Sequence, residues 1–285
     1  MERGVPLTNP VQSHPQPDSS ALSPATLITG ASSGLGRELA RLASAERQAL
    51  IIVGRSTAEL ASLAAELQPR CEVYPLEIDL AQHDAIEKIE TWLSQHRFYC
   101  DVLVNSAGFG VLGPLAETDP AMQLQLIEVN VKAPLALSLR FLPGMIQRRR
   151  GGIIYVGSIT GYAPGPFMSS YCASKAFIRS FSAALASELV GTGVTVTCLT
   201  PGVVKTQFFD RSTMGSSRLI KILPRGDAVE AAQAAWSAFR QGKSIVVPRM
   251  IDRFIIGLCW IVPDRLLARL VRRLNVPIST KAKSG

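Results

Sequence analysis

The chain has 285 residues, enough to bury the core of one large α/β domain, and 47% of them are hydrophobic, a globular composition. Its formal charge of +8 points to nucleic acid or an anionic membrane surface as partner classes, but aromatics are only 6% and do not interleave with the basic runs, so no nucleic-acid module is apparent. Five scattered cysteines without a CxxC pair argue against a disulfide framework or a zinc site, imply no bound metal and suit a reducing, cytoplasmic compartment.

Residues 1 to 24 are rich in Pro, Ser and Gln and lack apolar periodicity, so they read as a disordered leader with no signal-peptide core. Ala25 to Thr29 is a short apolar, β-branched run. Behind it come Gly30-Ala31-Ser32-Ser33-Gly34-Leu35-Gly36 and then Leu35, Leu39, Leu42 and Ala43 on one helical stripe. Strand, glycine-rich turn and helix in that order build an anion site. The glycines allow backbone to approach a ligand closely, and the free N–H groups of the helix favour a pyrophosphate.

Further apolar runs occur at Leu50 to Val53, Cys71 to Ile78, Val102 to Val104, Ile153 to Val156, Val194 to Leu199 and Ser244 to Val247, separated by helical stretches. This alternation predicts an α/β, doubly wound Rossmann fold, with a parallel sheet covered on both faces and ligands beyond the carboxyl ends of the strands. The second strand ends in Gly54-Arg55-Ser56 and carries no carboxylate there. An acidic residue would bond the adenosine ribose and repel a 2′-phosphate, whereas an Arg pairs with it, so NADP(H) is favoured over NAD(H). Arg55 is the expected reader, Ser56 a helper and Arg37 a competing candidate.

Tyr171 and Lys175 stand four residues apart in a segment that reads as helix, hence on one face. Moving a phenol from its ordinary pKa of ~10 to about 7 takes roughly 4 kcal/mol, which a positive charge at about 4 Å supplies at an effective dielectric of ~20. The pair is therefore a candidate general acid/base. Cys172 beside it reads as a small buried hydrophobe.

These motifs, with Asp79, Asn105-Ser106-Ala107-Gly108, Asn130, Ser158, and Pro201-Gly202 followed by Thr206, make the chain resemble the short-chain dehydrogenase/reductase family over roughly residues 25 to 247. One departure is Ser106, where the family most often has a second asparagine. The resemblance implies a seven-stranded sheet in the order 3-2-1-4-5-6-7 and a catalytic set of Ser158, Tyr171, Lys175 and Asn130. It implies a cofactor site of Gly30, Ser32, Ser33, Gly34, Leu35, Gly36, Arg55, Asp79, Asn105, Ala107, Gly108, Tyr171, Lys175, Pro201, Gly202 and Thr206.

In this scheme Tyr171 exchanges the proton, Lys175 lowers its pKa and holds the nicotinamide ribose, and Ser158 bonds the substrate oxygen. Asn130 would hold a water linking Lys175 to solvent, Asp79 would meet the adenine and Thr206 the nicotinamide amide. The small-molecule substrate should be mainly apolar, because residues 203 to 226 resemble the family's substrate lid and contain Phe208, Phe209, Met214 and Leu219. A homo-oligomer is implied by analogy.

The rival class is a nucleotide-sensing protein that kept the fold and lost the chemistry; a sensor has no need of the proton-transfer group. An epimerase or dehydratase is a third reading, disfavoured by the glycine loop and by the absence of a large C-terminal substrate domain. From Arg249 onward the chain forms a C-terminal extension expected to be helical, in which Phe254 to Val262 is apolar but too short to span a bilayer and Pro263 separates it from the Arg/Leu-rich Arg265 to Leu274. It is expected to pack on the substrate side, on a second subunit, or as a basic amphipathic helix on a membrane surface.

Overall fold

In the computed structural model, which describes residues 22–206, 208 and 213–275, seven strands make one sheet. They are β1 (Ser23–Thr29), β2 (Ala49–Gly54), β3 (Val73–Glu77), β4 (Phe98–Asn105), β5 (Gly151–Val156), β6 (Val194–Leu199) and β7 (Ile245–Val246). All neighbours pair in parallel, in the order β3-β2-β1-β4-β5-β6-β7. The expected Rossmann sheet is thus present. Residues 1–21 of the expected leader and 276–285 of the C-terminal extension lie outside the described residues, and β1 already begins at Ser23, ahead of the expected boundary at 25. The last strand is only two residues long, since Pro248 follows and offers no N–H to extend the ladder.

Successive side chains of a strand point to opposite faces, and the apolar runs fill both. Leu27, Ile51, Leu103 and Ile153 pack to one side, with Ile89 of α3 (Ala85–Gln95), Leu137 of α5 (Ala133–Arg148) and Ile178 of α6 (Ser169–Glu188). Ile28, Ile52, Val104 and Ile154 pack to the other, with Leu39 of α1 (Gly34–Ala43), Leu63 of α2 (Thr57–Leu67) and Phe239 of α8 (Ala228–Arg240). Helix α4 (Pro120–Ile127) runs into α5 through a π turn over Glu128–Lys132, a wide turn often found at functional sites.

A third apolar cluster lies outside the sheet, beyond the strand ends. It joins Val111, Leu112, Met168 and Tyr171 to Val203, Met214 and Ile220. The segment that supplies the last three is closed at its base by a bridge between Val204 and Gly226 and carries the short α7 (Arg218–Ile222). Phe209 lies outside the described residues. Two more helices, α9 (Met250–Ile261) and α10 (Asp264–Asn275), end the described chain. Helix α10 packs on α7, and α9 on the turn Ile159–Tyr162 after β5. The described part of the extension is therefore helical and packs beyond the strand ends, on α7 and on the turn after β5. No helix among the described residues is long and apolar enough to cross a membrane.

Candidate active site

The carboxyl ends of β1, β2, β4, β5 and β6 open into one cavity of about 730 Å³. Its floor is built by close backbone packing. Gly30 has φ +66, and a Cβ there would sit 2.7 Å from the backbone of Ala107, so the turn after β1 and the turn after β4 approach as only glycine permits. A Cβ on Gly36 would collide with the carbonyl oxygen of Gly30, which holds α1 tight against the turn. Thr29 joins the two turns chemically: its hydroxyl donates to Val104 O at 3.2 Å and accepts from Ser106 N and Ala107 N at 3.2 and 3.3 Å.

Helix α1 begins at Gly34 with no side-chain cap on its first N–H groups. Ser32, Ser33, Gly34 and Leu35 line the cavity at that end. An uncapped helix terminus under a glycine turn fits a pyrophosphate. Both amide atoms of buried Asn105, just behind the cavity lining, lack a partner among the described residues, which leaves polar capacity beside the site. Asp79 and Arg55 lie toward the β2 end of the cavity, Asp79 accepting from Ala81 N at 3.0 Å. Arg37 is engaged with Ser62 and Glu66 on α2, whereas Arg55 makes no ion pair among the described residues.

Tyr171 and Lys175 share a face of α6, as their spacing requires, and both are buried. The ammonium, however, donates to Val156 O at 2.9 Å and lies 5.8 Å from the Tyr171 ring centroid. Burial pushes the Tyr171 pKa well above its ordinary value, and the hydroxyls that lower it are those of Ser158 and Thr160. Burial likewise pushes Lys175 down to about 8. Burial pushes the Cys172 thiol up to about 12, which makes it an inert thiol beside Tyr171.

Ser158, two residues past β5, caps the turn Ile159–Tyr162, its hydroxyl accepting from Thr160 N at 3.2 Å, and lines the cavity. Asn130, within the π turn, donates to Phe109 O at 2.9 Å and to Ser174 Oγ at 3.2 Å and accepts from Phe109 N at 3.1 Å. Its amide is thus a brace between the β4 turn and α6. Gly36, Asn105 and Asn130 stand behind the cavity lining, while the other expected site residues line it.

The sequence reading missed three contributors. Thr160 is one. A second is Met168, which with Val203, Ile220 and Leu223 of the expected lid segment completes the apolar wall opposite the strand ends. The third is a clasp: Asp252 of α9, almost wholly buried, accepts from Gly202 N at 3.2 Å and from Arg249 at 2.7 and 2.9 Å, and Arg249 also donates to Pro224 O at 2.7 Å. It ties the Pro201-Gly202 turn, the lid base and α9 together. Its only sequence signal is an acid three residues after an arginine, a spacing too common to notice.

Comparison with known proteins gives these residues a setting. A family model described as short chain dehydrogenase matches residues 24–215. A short chain dehydrogenase of Pseudocercospora fijiensis is 35% identical over 184 residues, 64% of this chain and 60% of that protein. Dehydrogenase/reductase SDR family member 7B of Bos taurus is 35% identical over 263 residues, 87% of this chain and 81% of its own length. Among solved structures, a short-chain dehydrogenase from Sphingobium yanoikuyae in complex with NADPH has a TM-score of 0.72 at 28% identity, covering 84% of this chain and 96% of that one. A short chain dehydrogenase/reductase from Burkholderia phymatum in complex with NAD has a TM-score of 0.76 at 21% identity, over 91% and 99% of the two chains, a likeness of fold.

Proposed function

Since this chain belongs to the short-chain dehydrogenase family, we propose that it is an NADP(H)-dependent oxidoreductase that interconverts a ketone and a secondary alcohol on a mainly apolar substrate. The observation that carries this reading is the position of the Tyr171 hydroxyl. It is buried beside Ser158, between a polar wall of strand ends and an apolar wall formed by the lid.

The bound dinucleotide supplies the hydride, and everything else falls to side chains of this chain. The Ser158 hydroxyl donates a hydrogen bond to the carbonyl oxygen, where negative charge grows as the carbon is reduced. Tyr171 gives its proton to that oxygen and takes it back in the oxidative direction. The Lys175 ammonium, anchored on Val156 O, stands on the same helix face and stabilises the phenolate left behind. Asn130 keeps the β4 turn and α6 in register through Phe109 and Ser174, so the proton-transfer group and the cofactor floor move as one body. The fold family implies further contacts, with Lys175 on the ribose, Asp79 near the adenine and Thr206 near the amide.

Arg55 supports the choice of NADP(H), as a cation on the cavity wall where a carboxylate would select against the 2′-phosphate. The related protein solved with NADPH supports it further. All five cysteines are free, which suits a reducing, cytoplasmic compartment. The reading is tested by following NADPH oxidation against a panel of 3-ketoacyl thioesters, steroid ketones, aliphatic ketones and sugars. Turnover is expected with one or more apolar ketones and not with sugars; NADPH binding without turnover on any of them would assign the chain to the sensor class instead.

A further inference from the structure

Helix α9 inverts the usual surface pattern. Met250, Phe254, Leu258 and Ile261 recur at i, i+4, i+8 and i+11, which is one face, and that face points outward. Phe254 is 63% exposed, Trp260 71% and Ile261 80%. The inward side is held by the Asp252 clasp and by the Tyr162 ring, 6.5 Å from Trp260. The outward side of Met250, Phe254, Leu258 and Ile261 has no partner among the described residues, and a contiguous apolar stripe of this kind marks an interaction surface.

Helix α10, which follows α9 in the chain after Val262 and Pro263, adds charge. Leu267 is buried and Val271 and Leu274 half-buried, while Leu266 and Leu270, one turn apart, stand exposed along the flank. Beside them run Arg265, Arg269, Arg272 and Arg273, all exposed and opposed within the helix by Asp264 alone. Asn275 locks the end of α10 to the substrate side, accepting from Ser217 Oγ at 2.8 Å and donating to Pro166 O at 3.1 Å. An apolar stripe with an exposed tryptophan, followed in the chain by an exposed arginine row, matches the acyl boundary and the anionic headgroups of a lipid surface. A second copy of the chain fits less well, since a two-fold contact would bring one arginine row against the other.

We infer that the outer face of α9 and α10 docks on an anionic lipid bilayer. Docking there brings α7, whose Leu219 and Ile220 line the cavity, next to the lipid, so that an apolar substrate would reach the site from the membrane; this last step rests on the function proposed above.

The test is co-sedimentation of the full chain with vesicles of phosphatidylcholine alone and of phosphatidylcholine mixed with phosphatidylserine, at low and high salt. Binding is expected to the mixed vesicles and to weaken with salt. The pair Phe254→Ser with Ile261→Ser, and separately Arg269→Glu with Arg273→Glu, should each lower partitioning roughly tenfold or more. These side chains are exposed, so thermal midpoints should stay at the wild-type value. Tyr171→Phe should bind vesicles like wild type, which separates this inference from the reading of the active site. No binding to mixed vesicles, or binding that neither pair weakens, would overturn the inference. So would a soluble dimer that Phe254→Ser with Ile261→Ser makes monomeric, which would give the face to a second copy.

Discussion

The two walls of the cavity are built from different materials. The wall at the strand ends is largely backbone: Gly30 against Ala107, Thr29 bonded to Ser106 and Ala107, and Lys175 on the carbonyl of Val156. The facing wall is side chain, with Met214, Ile220, Leu223 and Phe208 on a loop closed at its base by the Val204–Gly226 bridge, and Met168 at the start of α6. Backbone packing leaves little freedom, whereas unbranched and aromatic side chains repack. On the function proposed above, the difference separates where the molecule would keep its chemistry constant from where it would adapt to a substrate: the first wall would serve proton transfer and the dinucleotide, and the second would decide what enters.

If that division holds, damage to the first wall should be large and indifferent to substrate. Tyr171→Phe removes the proton donor while keeping the ring in its apolar cluster, so kcat should fall about 10³-fold, within the span typical of general acid catalysis. NADPH affinity measured by fluorescence titration should stay within a few fold. Near wild-type turnover would take Tyr171 out of the reaction and blur the two walls. Arg55→Asp should act next in size. Replacing a cation by an anion beside the expected 2′-phosphate should lower the NADPH/NADH ratio of kcat/KM by roughly 30-fold, or about 2 kcal/mol. An unchanged ratio would move the phosphate reader elsewhere.

The first wall was also the legible one. A glycine turn between strand and helix, and a Tyr four residues before a Lys, are local patterns whose spacing alone puts the groups on one edge or one face. Strand runs such as Leu50 to Val53 were legible because a sheet buried on both faces needs continuous apolar stretches. What stayed hidden depends on contacts between distant segments. Asp252 meets Gly202 across 50 residues, and no periodicity announces it. The direction of the Lys175 side chain was hidden too: helical spacing gives the face, but only the packed end of β5 shows that Val156 O takes the ammonium. Met168, outside the expected lid segment, reads as an ordinary apolar residue until it is seen to line the cavity.

Lys175 also allows a smaller test, on stability rather than rate. Its pKa is about 8 in the native protein against an ordinary 10.5, so between these values the unfolded chain holds more of the proton. Native stability should then rise with pH from about 8, by at most about 1.4 kcal/mol per pH unit, while below pH 8 the burial cost is constant. Tyr171 and the buried thiols, whose pKa values are raised, act in the opposite sense, since they ionise more readily once unfolded. Comparison with Lys175→Met cancels those shared contributions. Urea midpoints of both proteins from pH 7 to 10 should show the wild type gaining on the variant above pH 8. A constant difference would mean that Lys175 keeps an ordinary pKa, and that the first wall is wetter than its packing implies.

The smallest effect belongs to the second wall. Leu219 of α7 lines the cavity and is only half-buried, so Leu219→Ala removes apolar contact without opening a void in the core. Fully burying such a side chain contributes roughly 1.5–3 kcal/mol, and a half-buried one about 1 kcal/mol. That contact is the same in the ground and transition states. Its loss should therefore raise KM about fivefold for a bulky apolar ketone and leave kcat unchanged. A small ketone that does not reach α7 should show neither change. A drop in kcat for both substrates would tie α7 to the chemistry, and the separation of an adaptable wall from a fixed one would fail at its most exposed point.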